Sequence, residues 1–136
     1  MKKRVLILCT GNSARSQMAE GLLRHLAGDR FEVFSAGTHP TSLNPNAVSA
    51  LADLGIDISH HRSKSANEFS TQSFDYIITV CDNARESCPI FPGTGERIHH
   101  SFADPAAAPT CNQPTVFRQV RDSIRTWLKD FIAQHP

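Results

Sequence analysis

Residues 4–16 read Arg4-Val5-Leu6-Ile7-Leu8-Cys9-Thr10-Gly11-Asn12-Ser13-Ala14-Arg15-Ser16. Arg4 to Cys9 is a continuous β-branched and leucine run, the pattern of a strand buried on both faces in a parallel sheet. From Ser13 to about Ala27 the period becomes helical. Met18, Leu22 and Leu26 form one stripe beside Ala19 and Leu23, and Gly28 closes the element. Between strand and helix lies a cysteine, five residues and then Arg15-Ser16. That spacing can gather one thiolate, one guanidinium and a ring of backbone N–H donors around a single tetrahedral oxyanion. A helix N-terminus and an arginine both favour the thiolate form of a cysteine and both attract anions.

The alternation continues downstream. Phe31 to Ser35 reads as a second strand, with Ala36-Gly37 starting a loop. Asn44-Pro45 is an N-cap followed by proline at the first helical position, and Val48, Leu51 and Ala52 line a short helix that stops at Gly55. Phe74 to Val80 is a third strand that runs directly into Cys81, and Arg97 to His100 a shorter fourth. Asp104 to Pro114, with three prolines and three consecutive alanines, reads as a loop. Phe117, Val120, Ile124, Trp127, Leu128 and Phe131 then recur at helical spacing, predicting a terminal helix of about four turns. Such alternation implies right-handed βαβ crossovers and a parallel sheet, with ligands bound at the carboxyl ends of strands. Cys9 and Cys81 both stand at such ends.

Composition narrows the function classes. The 136 residues suit one domain, 1–136, and 40% hydrophobic with 20% charged residues is globular. A net charge of +1 leaves no electrostatic footprint for nucleic acid. No apolar run approaches a membrane span. Met1-Lys2-Lys3-Arg4 leads into only five apolar residues, too few for a signal-peptide core, so the expected location is cytoplasmic. Four cysteines in a reducing compartment point to catalysis or metal binding rather than structural bridges.

In the loop, Gly11 lets the backbone approach an anion, Asn12 and Ser13 can hold the turn by side-chain hydrogen bonds, and Ser16 can donate to the Cys9 sulfur. Arg15 offers a planar fork matched to phosphate or arsenate oxygens. The blander reading is a buried cysteine beside a glycine turn. These residues resemble the loop of the low-molecular-weight tyrosine phosphatase superfamily, which has this cysteine-to-arginine spacing. The resemblance implies an α/β, flavodoxin-like three-layer fold with a four-stranded parallel sheet. It implies an oxyanion cradle made by Thr10, Gly11, Asn12, Ser13, Ala14 and Arg15. It also implies a distant general acid in an Asp-Pro pair, which here is Asp104-Pro105; alone, that dipeptide is a common turn.

A second constellation, Cys81-Asp82-Asn83-Ala84-Arg85-Glu86-Ser87-Cys88-Pro89, places two cysteines seven apart after a central strand. Small core fillers or free thiols remain open, and the separation lacks the paired arrangement typical of metal sites. On a helix, positions seven apart lie roughly 10 Å from each other, whereas a disulfide needs Cα atoms within about 7 Å, so bridging them requires the segment to unwind. Together with the run at 9–21 and Asp104-Pro105, this pattern resembles the thioredoxin-coupled arsenate reductases of the same superfamily. That resemblance implies arsenate as substrate, with phosphate or sulfate as competitors, and a relay in which Cys9 attacks arsenic while Asp104 protonates the departing oxygen. A Cys9–Cys81 disulfide and then a Cys81–Cys88 disulfide follow, the last reduced by thioredoxin. No bound cofactor, no metal and a monomer are implied. The alternatives are a glutaredoxin-coupled reductase, a tyrosine phosphatase using Cys9, Arg15 and Asp104 alone, and an oxyanion-binding module. Against the phosphatase, Asp104-Pro105 continues into Ala106-Ala107-Ala108, with no aromatic residue to flank an aryl substrate.

Two positions depart from the family pattern. Ala14 stands where members often carry a further cysteine. Lys64 stands where an acidic residue completes a potassium site with Asn12, Glu20 and Ser35, so its ammonium is expected to replace the cation. His60-His61 and His99-His100 read as surface or loop residues, and Cys111 as a bystander thiol.

Overall fold

The computed structural model describes residues 2–82, 84, 91, 93 and 95–136. Four strands, β1 (Lys3–Cys9), β2 (Phe31–Gly37), β3 (Tyr76–Thr79) and β4 (Glu96–His99), alternate with helices α1 (Arg15–Ala27), α2 (Pro45–Ala52) and α3 (Gln113–Gln134). The sheet is parallel throughout in the order β2-β1-β3-β4, so the α/β class and four-stranded parallel sheet expected from the sequence are those observed. The chain leaves β1 toward β2 on one side and returns to β3 on the other. The crevice between the ends of β1 and β3 is therefore the topological switch point, where ligands of such sheets bind.

Register explains the apolar run. Val5 to Leu8 pair with Val33 to Ala36 on one side and with Tyr76 to Thr79 on the other. These four side chains are fully buried, each contributing on the order of 1.5–3 kcal/mol of transfer free energy. β3 is shorter than the expected 74–80, yet Asp75 N–H donates to Arg4 O and Val80 N–H to Leu8 O, both at 2.9 Å, so pairing continues past both ends.

α1 begins at Arg15 rather than Ser13 because Asn12 adopts a positive φ of 49° and the turn absorbs the residues after it. The helix is buried over Ser16 to Leu23, packed against α3, β2 and α2. A Cβ on Gly21 would come within 2.7 Å of both Leu51 and Ile58, so only glycine lets that contact close. Asn44 caps α2 as expected, its Oδ1 accepting from Asn46 N–H at 2.8 Å. α3 is 22 residues long rather than about four turns. Pro114 is tolerated at its N-terminus because a first-turn N–H has no intrahelical acceptor, so the helix starts inside the stretch expected to be loop. That stretch also holds two 3₁₀ turns, Pro105–Ala107 and Thr110–Asn112. Among the described residues no helix is long and apolar enough to cross a membrane.

Candidate active site

The loop at 9–14 is held by its carbonyls. Thr38 N–H donates to Cys9 O at 3.1 Å, His39 N–H to Thr10 O at 2.8 Å, Thr41 N–H to Gly11 O at 3.0 Å, and Asn44 N–H to Ser13 O at 3.0 Å. Ser63 Oγ donates to Asn12 O at 2.6 Å, and Ala14 O accepts the first helical bond, from Met18 N–H, at 2.9 Å. In a trans peptide the C=O and the next N–H point in opposite directions, and the described chain contains no cis bond. The carbonyls of residues 9–13, tied outward to residues 38–44 and 63, and that of Ala14, tied into the helix, therefore set the N–H groups of Thr10 to Arg15 on the other side, the geometry of an anion-binding nest at a helix N-terminus.

The nucleophile candidate sits on the floor of this turn. Cys9 is buried, and its Sγ lies 2.8 Å from Ser16 Oγ, in the first turn of α1. Asn12 Nδ2 donates to the same hydroxyl at 2.8 Å and to Ser35 Oγ at 3.0 Å. With the Asn12 amide donating to its oxygen, the Ser16 hydroxyl can direct its own proton at the Cys9 sulfur. Arg15 is half-buried and its Nη1 donates to Phe102 O at 3.1 Å. That bond fastens the loop after β4, which carries Asp104, to the anion loop. Asp104 itself is exposed, and its Oδ1 accepts from Ala106 N–H at 3.0 Å as the cap of the following turn.

Cys81 is buried beyond β3 with its Sγ 3.3 Å from the Thr10 hydroxyl, and Ala84 N–H donates to it at 3.4 Å. The structure thus brings Cys9, Thr10, Ser16, Arg15 and Cys81 to one end of the sheet. Cys88 lies outside the described residues. Cys111 is exposed, its Sγ 3.7 Å from Oδ1 of its neighbour Asn112.

Two supporting residues, Gly37 and Gln17, carried no sequence signal of their own, whereas the Glu20, Ser35 and Lys64 group was marked by the family resemblance. A Cβ on Gly37 would stand 2.5 Å from Thr10 O and 2.9 Å from Asn12 N, so glycine there permits β2 to abut the loop. Gln17, fully buried, donates to Asn12 Oδ1 at 3.0 Å and to Arg62 O at 2.9 Å. Glu20 accepts from Ser35 Oγ at 2.6 Å and from Arg24 at 2.8 Å, with Lys64 Nζ 3.8 Å away. Burial pushes the Lys64 ammonium below its ordinary value, and Glu20 partly opposes this.

His61 lies in a loop, as expected, but not at the surface, and His99 belongs to β4. The His61 side chain is only 6% exposed; its Nδ1 donates to Gln17 Oε1 at 2.9 Å, and Arg24 Nη1 lies 3.3 Å from Nε2. An amide oxygen below and a guanidinium above suit the neutral ring, and burial lowers its pKa, Glu20 pulling the other way. His99 is likewise engaged, between Thr79 and Asp82. Adjacent residues do point apart, but in each pair one member turns inward. Among the described residues no cluster of three or more His, Cys, Asp or Glu could hold a metal ion.

This geometry has close relatives. The chain is 44% identical over 132 residues to an arsenate reductase of Halalkalibacterium halodurans, covering 96% of this chain and 95% of that one. It is 42% identical over 131 residues to an arsenate reductase of Bacillus subtilis, covering 95% and 94%. Among solved structures, an arsenate reductase in a phosphate-binding state superposes with a TM-score of 0.81 at 28% identity over both whole chains. A low molecular weight protein tyrosine phosphatase from T. tengcongensis gives 0.79 at 26% identity, covering 98% of this chain and 99% of that one. The model of the low molecular weight phosphotyrosine protein phosphatases matches residues 4–135, and with strand, nucleophile loop and arginine all inside that span, the chain belongs to this family.

Proposed function

We propose that the chain reduces arsenate to arsenite through a thiol relay beginning at Cys9, a chemistry for arsenic detoxification. The observation that carries this reading is the Cys81 sulfur 3.3 Å from the hydroxyl of Thr10, the residue after Cys9. A second thiol against the anion loop has no use in simple phosphoester hydrolysis. The two relatives at 44% and 42% identity that bear the name arsenate reductase support it.

In this reading the N–H groups of residues 10–15 and the Arg15 fork hold arsenate, and phosphate or sulfate compete for the same cradle. The Cys9 thiolate, stabilised by Ser16, attacks arsenic, and one oxygen leaves as water with a proton from Asp104. Cys81 then attacks the Cys9 sulfur. The S–As bond breaks and its electron pair stays on arsenic, which departs as As(III), while a Cys9–Cys81 disulfide forms. Overall, arsenate and two thiols give arsenite, one disulfide and one water. Cys88 attacks Cys81, frees Cys9 and leaves Cys81–Cys88 for reduction by thioredoxin, each step governed by reach and thiolate fraction. No bound cofactor takes part. Residues 1–136 act as one domain, a cytoplasmic monomer.

The test is arsenate turnover with thioredoxin, thioredoxin reductase and NADPH. Sustained arsenite release is expected, while Cys88→Ser completes about one turnover and stops with Cys9 bonded to Cys81. Undiminished cycling of that variant overturns the relay. Hydrolysis of aryl phosphates with no arsenate reduction leaves the phosphatase reading, which rests on the Cys9–Ser16 and Arg15 arrangement alone. Glutaredoxin supporting the cycle where thioredoxin fails changes only the donor.

A further inference from the structure

A chain of side chains outside the anion loop ends beside the second thiol. Thr79 and His99 close β3 and β4 and are partners across the sheet. Thr79 Oγ1 lies 2.7 Å from His99 Nδ1, and the other ring nitrogen, Nε2, lies 2.9 Å from Asp82 Oδ1. A carboxylate only accepts, so Nε2 donates, and in the neutral ring the Thr79 hydroxyl donates to Nδ1. Asp82 directly follows Cys81, and both Asp82 and Ala84 are helical. Ala84 N–H points at Cys81 Sγ.

The Asp82 side chain is 76% exposed, whereas His99 is 22% exposed and anchored on the sheet. A pair this open contributes little to stability; what it restricts is where the turn behind Cys81 can go. We propose that His99 is a positioning residue for Cys81: by holding Asp82 against the end of the sheet it keeps the following turn wound, so that the Ala84 N–H stays on the Cys81 sulfur. That donor holds in place the sulfur that must attack Cys9. The inference rests on the relay proposed above, and it concerns the step in which the S–As bond breaks and the Cys9–Cys81 bond forms.

The experiment is a single turnover in a Cys88→Ser background, following arsenite release and Cys9–Cys81 formation. His99→Ala slows that step about five- to tenfold, the size of one lost hydrogen bond, without changing the half-saturating arsenate concentration. The binding of inorganic phosphate is unchanged as well. Asp82→Ala has the same effect, Asp82→Asn restores most of the rate because its Oδ1 still accepts from Nε2, and the double alanine variant is no slower than either single one. An unchanged rate in His99→Ala, or alanine effects that simply add, overturns the proposal. A simultaneous loss of phosphate binding in both alanine variants also overturns it, since the residue then merely supports the fold. Excess hydrogen peroxide in place of arsenate makes the outcome independent of the substrate. It oxidises Cys9 to the sulfenic acid, and Cys81 displaces hydroxide to give the same disulfide. A peroxide-driven closure slowed by His99→Ala in a protein that makes no arsenite retains the positioning role and discards the reductase reading; one that is not slowed discards the positioning role.

Discussion

Gly37 shows how a single missing methyl group shapes the anion loop. It ends β2 in register with Cys9, and any side chain there meets the Thr10 carbonyl and the Asn12 nitrogen, both backbone atoms with no rotamer to yield. Gly37→Ala therefore pushes the loop off its carbonyl anchors. The expected cost is about 1–3 kcal/mol of stability, accompanied by a larger loss of anion affinity, because every donor in the cradle moves. Phosphate binding by calorimetry together with a urea midpoint checks this; an affinity equal to that of the unmodified chain contradicts it. At Ser16 the logic differs. Its contact with the Cys9 sulfur was readable from the loop motif, in which Ser16 follows Arg15 at the start of a helix. The Asn12 amide that orients its hydroxyl required the folded loop, where φ is positive.

The elements flanking the loop carry electrostatics that the loop itself lacks. The segment from His61 to Ser65 runs beside α1, with Ser63 and Lys64 bonding Asn12 and Lys64 O accepting from Gly37 N–H at 2.8 Å. It thereby brings the Lys64 ammonium to the buried Glu20 and Ser35 pair. A cation built into the chain is present at any salt composition. Melting temperature and turnover are thus expected to be the same in potassium and in sodium at equal ionic strength. A melting temperature several degrees higher in potassium alone contradicts this reading of Lys64. At the other end of the sheet crevice, β4 and its continuation touch three parts of the site. His99 meets Asp82, Phe102 O accepts from Arg15, and Asp104 follows two residues later.

Across the whole molecule, the buried polar network beneath the loop couples stability to pH. His61 is neutral inside a shell of Gln17, Glu20 and Arg24, and burial holds its pKa below the ordinary value of 6.5. The unfolded chain takes up a proton near that ordinary value, whereas the folded one resists until lower pH. Stability from this group is therefore complete above about pH 6.5 and is lost as pH falls through the depressed folded value. The melting temperature is expected to drop between about pH 7.5 and 5.5, and His61→Gln, which keeps an amide donor for Gln17, to lose part of that slope. Equal slopes for the two proteins refute the assignment.

The strand running into Cys9, the cysteine-to-arginine spacing, the Asn44 cap and the alternation of strand and helix were all readable along the chain, because each is a local pattern of burial or backbone geometry within a few residues. The partners that complete the site were not. Lys64 N–H reaches Asn12 across 52 positions, His61 reaches Gln17 across 44, and Arg15 reaches the Phe102 carbonyl across 87. Nothing in their neighbouring residues marks them, and a histidine pair looks the same whether its imidazole faces water or a buried amide. Those contacts exist only after the crossovers have set β3 and β4 on one side of β1 and β2 on the other, since it is the order of strands that decides which distant loops meet at the carboxyl edge.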